Sequence, residues 1–137
     1  MGVAHVFVSP VPPTDQTRCH DGAGRETPCP GSGQDAAFSH AAGRHAPRFA
    51  AVGTGLVQDT ATGLVWPVDA GIAGFPMPWD NALAVAARMA ADAVLGRTDW
   101  RLPNRRELRS LVSYGQLRPS LPAGHPFENV FAGWHWT

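Results

Sequence analysis

The sequence predicts an α+β domain preceded by an extended segment. Three local signals predict it. Two short β-favouring runs flank a turn near residue 60, an Ala-rich helical window covers 79–95, and a capped helix start sits at Asn104.

Leu56-Val57 and Leu64-Val65-Trp66 bracket Gln58 to Gly63, a Thr/Asp/Gly turn, and so predict a hairpin. Gly63 supplies the positive φ such a turn needs at its end. In the window 79–95, Leu83, Ala86, Ala87, Ala90 and Val94 recur at helical spacing. Pro76 and Pro78 precede that window and Gly96 follows it, as helix boundaries require. The second helix is predicted over 105–114. Asn104 is its N-cap, Glu107 completes a capping box, and Gly115 suits the C-terminal end. Leu108, Leu111 and Val112 fall on one side of this helix, and Arg105, Arg106 and Arg109 on the other. Trp100 and Leu102 alternate ahead of it like a strand entering the core. Trp134 and Trp136 alternate in the same way at the end of the chain. Trp66, Trp79, Trp100, Leu102 and Leu108 are the expected core.

Composition divides the chain near Pro47. Residues 1–47 hold six Pro and six Gly and no sustained period, whereas all five Trp lie beyond them. The expected organisation is an extended, Pro/Gly-rich segment over 1–47 and the folded domain over 48–137. Cys19 and Cys29 are too far apart for a zinc pair, and the intervening Gly22, Gly24 and Pro28 suit a tight loop. A Cys19–Cys29 disulfide is expected, and with it an oxidising compartment: secreted, periplasmic or cell-surface. Met1 to Val8 lacks the basic n-region of a complete signal peptide.

Eleven basic residues, all Arg, balance eleven acidic ones, so the net charge is zero. Global charge therefore gives no basis for nucleic-acid or membrane binding. No apolar run reaches the length of a membrane span. There is no G-x-S-x-G, H-E-x-x-H or phosphate loop, so no enzyme, metal site or cofactor is expected. Charge is nevertheless uneven: residues 97–137 carry six Arg against Asp99, Glu107 and Glu128.

The run Asp99-Trp100-Arg101-Leu102-Pro103-Asn104, followed by Glu107-Leu108 and Ser110-Leu111, resembles the signature of the Lcl C-terminal domain family. Matching stretches occur in the same order. They are Asp59 with Thr62-Gly63-Leu64-Val65-Trp66, Trp79 with Ala82-Leu83, His125-Pro126-Phe127, and Trp134 with Trp136-Thr137. The prefix Cys19…Cys29-Pro30-Gly31…Gly33-Gln34-Asp35 is similar to an extension on exported members. The resemblance covers roughly residues 15–137. It implies a C-type-lectin-like α+β fold, with two helices and a small, mostly antiparallel sheet. It also implies a secreted or surface setting. The member that gives the family its name is a collagen-like adhesin whose C-terminal domain binds sulfated polysaccharides and forms a trimer. A homo-oligomer is thus implied by resemblance alone. The family pattern reads YWSS where this chain has Trp134-His135-Trp136-Thr137, and it continues for several more strands. The fold is therefore expected to be incomplete, with the C-terminal strands missing from 48–137.

The candidate ligand-binding residues are Arg101, Arg105, Arg106 and Arg109, with Trp134 and Trp136. Guanidinium forks match sulfate and carboxylate geometry, and the start of the second helix favours anions near Asn104. Indole faces suit the apolar C–H surfaces of sugars. Together these features point to a non-catalytic, adhesin-like binding module for a polyanionic glycan. The alternatives that stay open are a structural domain of a surface assembly without sugar affinity, and the product of a shortened gene.

Overall fold

A computed structural model of the chain describes residues 16–38, 47–74 and 76–137. The signal-peptide expectation on Met1 to Val8 lies outside the described residues.

The Cys19–Cys29 disulfide is formed, with the two Cα atoms 5.2 Å apart. It clips a short antiparallel hairpin of β1 (Cys19–His20) and β2 (Glu26–Thr27). Asp21 organises the turn: its Oδ1 accepts the backbone N–H groups of Ala23 and Arg25, and its Oδ2 accepts the Arg25 guanidinium. The backbone N–H of Arg25 is the chief cause holding the Asp21 carboxyl below its usual range. Gln34 clamps the hairpin from outside, since its side chain accepts from His20 N–H and donates to His20 C=O.

A second sheet has the order β3 (Phe49–Gly53), β4 (Leu56–Asp59), β5 (Val65–Pro67), all antiparallel. The predicted hairpin is β4–β5. Its turn closes through Asp59, whose carbonyl accepts from Thr62 and Gly63, with Gly63 at φ +75°. Asp59 is fully buried. Its carboxylate receives the Arg48 guanidinium through Nε at 3.2 Å and an Nη at 3.0 Å, and also Ala61 N–H. The same Arg48 Nη donates to the carbonyl of Ser110 at the end of the second helix. One guanidinium thus joins the hairpin turn to a helix far along the chain.

α1 spans Trp79–Ala91 and is followed by a 3-10 turn at Val94–Gly96. The window 79–95 is therefore helical in two pieces. Ala93 and Leu95 take positive φ, and the unwound turn offers the Val94 carbonyl to the Trp100 indole N–H at 2.7 Å. The inward stripe also differs from the expected one. Ala82, Val85, Ala86 and Met89 face the interior, whereas Leu83 is exposed. In an Ala-rich helix several stripes are close in apolar content, and the bulk of Val85 and Met89 decides among them.

α2 spans only Arg105–Ser110, with the Asn104–Glu107 capping box in place. It stops short of 114 because Leu111 and Val112 bond back three residues, and Ser113 N–H turns to the carbonyl of Ser120. Leu111 is buried as expected. Neither 99–104 nor 134–136 forms a strand, so the alternation of Trp100 with Leu102 and of Trp134 with Trp136 does not become a ladder. A parallel bridge instead joins Asp69 to Glu128. It is fixed by Ala70 N–H to Glu128 C=O and by Glu128 N–H to Val68 C=O.

The buried core of this part consists of Leu56, Val57, Ala82 and Leu111. Trp66, Trp100, Leu102 and Leu108 are only half-buried and Trp79 is exposed, a correction to the expected core. The reason is that Trp66, Trp100, Leu102 and Leu108 surround a cavity instead of filling one another's gaps.

Candidate ligand-binding surface

The cavity has a volume of about 920 Å³. Its walls come from β5, the inward face of α1, the Asp99–Pro103 segment, and the last residues of the chain. Of the six predicted ligand residues, Arg101, Trp134 and Trp136 line it. Arg105, Arg106 and Arg109 lie outside it, exposed on α2. The predicted set is thus split between a concave aromatic surface and a convex basic one.

Arg101 forms a fork with Glu107, at 2.8 and 2.6 Å, and the same Glu107 accepts the backbone N–H of Asn104 at 2.8 Å. These partners, the Arg101 guanidinium first, hold the Glu107 carboxyl at about 2, down from 4.5. Arg97 and Asp99 make a similar fork, in which the Arg97 side chain holds the Asp99 carboxyl below its usual range. The start of α2 is already satisfied. Asn104 Oδ1 accepts from both Arg106 and Glu107 N–H, and Glu107 takes Asn104 N–H. With these donors engaged and only one and a half turns of helix, the expected anion preference near Asn104 is not supported.

The Glu107 network makes a pH prediction. In the unfolded chain this carboxyl titrates near 4.5 and in the fold near 2, so the unfolded chain takes up the proton first as pH falls. The stabilisation is therefore complete above about pH 5 and lost as pH falls through about 2. Glu107→Gln keeps an oxygen for the Asn104 N–H and loses the charge facing Arg101, so it is expected to cost about 0.2–1 kcal/mol at neutral pH, as loss of a largely exposed ion pair does. Its deficit against the parent should shrink between about pH 5 and 2 in urea melts. A deficit constant across that range would contradict the assignment.

On the convex side, Arg109 Nε donates to the Tyr114 hydroxyl at 3.0 Å. Arg105 and Arg106 form no ion pair among the described residues. Glu107, the one carboxylate on α2, is committed to Arg101 and to the cap. Three guanidinium groups on one short helix are therefore left without a neutralising partner among the described residues.

At the end of the chain the two indoles differ. Trp136 packs edge-on against Trp79 at 5.7 Å and donates Nε1–H to the Met77 carbonyl at 2.6 Å. It ties the last residues to the start of α1. Trp134 is 98% exposed. Among the described residues no group of His, Cys, Asp and Glu is arranged to hold a metal ion.

Sequence reasoning missed Arg48 as the partner of Asp59, and Asp69 with Asn129, which are joined at 2.9 Å across 60 positions. Asp59 was visible in the hairpin pattern. A lone Arg just before β3 was the available signal for its partner.

The fold and surface define a small α+β domain with a basic helix beside an aromatic cavity. The family model of the Lcl C-terminal domain matches residues 55–137, more than half of the chain. The chain belongs to the Lcl C-terminal domain family. No curated protein and no solved structure is matched.

Proposed function

We propose that this chain is a non-catalytic binding module of an exported or surface protein, and that it engages sulfated or uronic-acid glycans through Arg105, Arg106 and Arg109. The observation that carries the reading is the commitment of Glu107 to Arg101, which leaves these three guanidinium groups uncompensated among the described residues. Planar forks of this kind pair bidentately with sulfate and carboxylate. Family membership supports a binding module as the general class. The Cys19–Cys29 disulfide supports an oxidising compartment, and no helix among the described residues is long and apolar enough to cross a membrane.

Heparin-affinity chromatography tests the reading. The parent chain should be retained, and Arg105→Ala/Arg106→Ala/Arg109→Ala should elute at clearly lower salt, since each lost charge contact weakens a screened interaction. Arg101→Ala/Glu107→Gln, which removes the pair together, should change elution little, because the pair carries no net charge. Equal retention of the parent and the triple variant would refute glycan binding at this face.

A further inference from the structure

We propose that Tyr114 is a positioning residue of the glycan-binding surface: its hydroxyl holds Arg109 at Nε, so that the two terminal nitrogens of that guanidinium meet an anionic group as one end-on fork. The inference rests on the reading of α2 as the glycan-binding face and adds a residue to it.

It starts from the way each guanidinium is held. Among the described residues, Arg25, Arg48, Arg97 and Arg101 pair with carboxylates, which fix the group and also cancel its charge. Arg109 is held differently. Its Nε donates to the Tyr114 hydroxyl at 3.0 Å, and a hydroxyl fixes a guanidinium without neutralising it. Arg109 thus combines a set orientation with an undiminished positive charge. Arg105 and Arg106 carry the charge, but no side-chain partner orients them among the described residues.

The contact also selects the direction of approach. A guanidinium offers five N–H donors in one plane, two on each terminal nitrogen and one on Nε. An anion can meet it side-on, through Nε and one terminal nitrogen, or end-on, through both terminal nitrogens. Tyr114 occupies Nε and so closes the side-on approach. The end-on fork is left, with parallel N–H groups that match two oxygens of a sulfate or carboxylate.

Both ends of the contact are anchored in the fold. The Arg109 carbonyl accepts Val112 N–H at 3.0 Å. Leu111 and Ser113, just ahead of Tyr114, are buried, and Ser113 N–H bonds to the Ser120 carbonyl. The buried turn after α2 therefore sets the Tyr114 backbone, while its ring is 47% exposed beside the basic face. An arginine ordered in advance loses less rotamer freedom on binding, an effect of about two- to tenfold in affinity.

Titration calorimetry of the full chain with heparin at several salt concentrations tests the proposal. Tyr114→Phe should raise the Kd about two- to tenfold. The slope of affinity against salt should match the parent's, because no charge is removed. Its urea midpoint should stay close to the parent's, since the exchange leaves the buried turn untouched. Arg109→Ala should weaken binding and also flatten the salt slope. In the Arg109→Ala background Tyr114→Phe should have no further effect, since the hydroxyl acts only through Arg109. Tyr114→Phe binding heparin like the parent, while Arg105→Ala/Arg106→Ala/Arg109→Ala is weakened, would overturn the role of Tyr114 and leave the glycan reading standing. An equal loss from Tyr114→Phe with and without Arg109 would overturn it in the same way. Equal binding by the parent and the triple variant would remove the glycan reading at this face, and this inference with it.

Discussion

Asp59→Asn is expected to lower the stability of the domain by about 3–5 kcal/mol, the cost of removing one partner from a buried ion pair. Asp59 is fully buried and the Arg48 side chain is only 16% exposed, so the guanidinium would be left facing a neutral amide with little water to replace the lost charge. In a domain of this size the midpoint of thermal unfolding should fall by roughly 15 °C or more. Arg48→Met should cost a comparable amount, because it strands the carboxylate and also removes the donor to the Ser110 carbonyl. The double variant Arg48→Met/Asp59→Leu should be less destabilised than the two single losses added together, since a buried pair replaced by apolar groups is often close to neutral. Urea unfolding followed by tryptophan fluorescence measures all of these. Additive losses would show that the pair is not coupled.

Loss of the disulfide should have the next largest effect, confined to residues 16–38. Closing a loop of this length removes about 3 kcal/mol of unfolded-state entropy in the simple chain model. The only buried apolar residues of this unit are Cys19 itself and Ala36. That burial cannot replace the clip. Cys19→Ser/Cys29→Ser should therefore open the hairpin while the Phe49–Pro67 sheet persists. Amide hydrogen exchange reads this out. His20 N–H, bonded to Gln34, and Asp21 N–H, bonded to Arg25 C=O, should lose protection, and the β4 amides should keep theirs. Unchanged protection at His20 and Asp21 would show that the Gln34 clamp suffices.

What could be read in the sequence was what depends on near neighbours. The β4–β5 hairpin is set by Asp59 and Gly63 within its own turn, and the α2 start by Asn104 and Glu107 three positions apart. Arg101 finds its carboxylate, Glu107, only six positions on. The misses need distant partners. Arg48 reaches the Ser110 carbonyl across 62 positions, and Trp136 reaches the Met77 carbonyl across 59. No local period encodes such contacts. The inward stripe of α1 differs from the expected one for a related reason: in a run rich in Ala, the choice of face belongs to the surroundings and not to the helix. The candidate surface was legible as a set of residue types, but not in its division. Sequence spacing placed Arg101 with Arg105, Arg106 and Arg109, whereas its fork with Glu107 turns it to the cavity and leaves the other three outside.

The bridge between Asp69 and Glu128 bears on the order of folding. Val68, Asp69 and Ala70 hold the Glu128 region at the base of a long excursion that contains both helices. Closing such a loop carries an entropy cost that rises only logarithmically with its length, about 0.6 kcal/mol per doubling. The bridge sets only two backbone hydrogen bonds and the Asp69–Asn129 bond against that cost, so it is expected to close once the helices and the sheet are in place. The bridge is therefore a late contact, and weakening it with Asn129→Ala should speed unfolding while leaving the folding rate nearly unchanged.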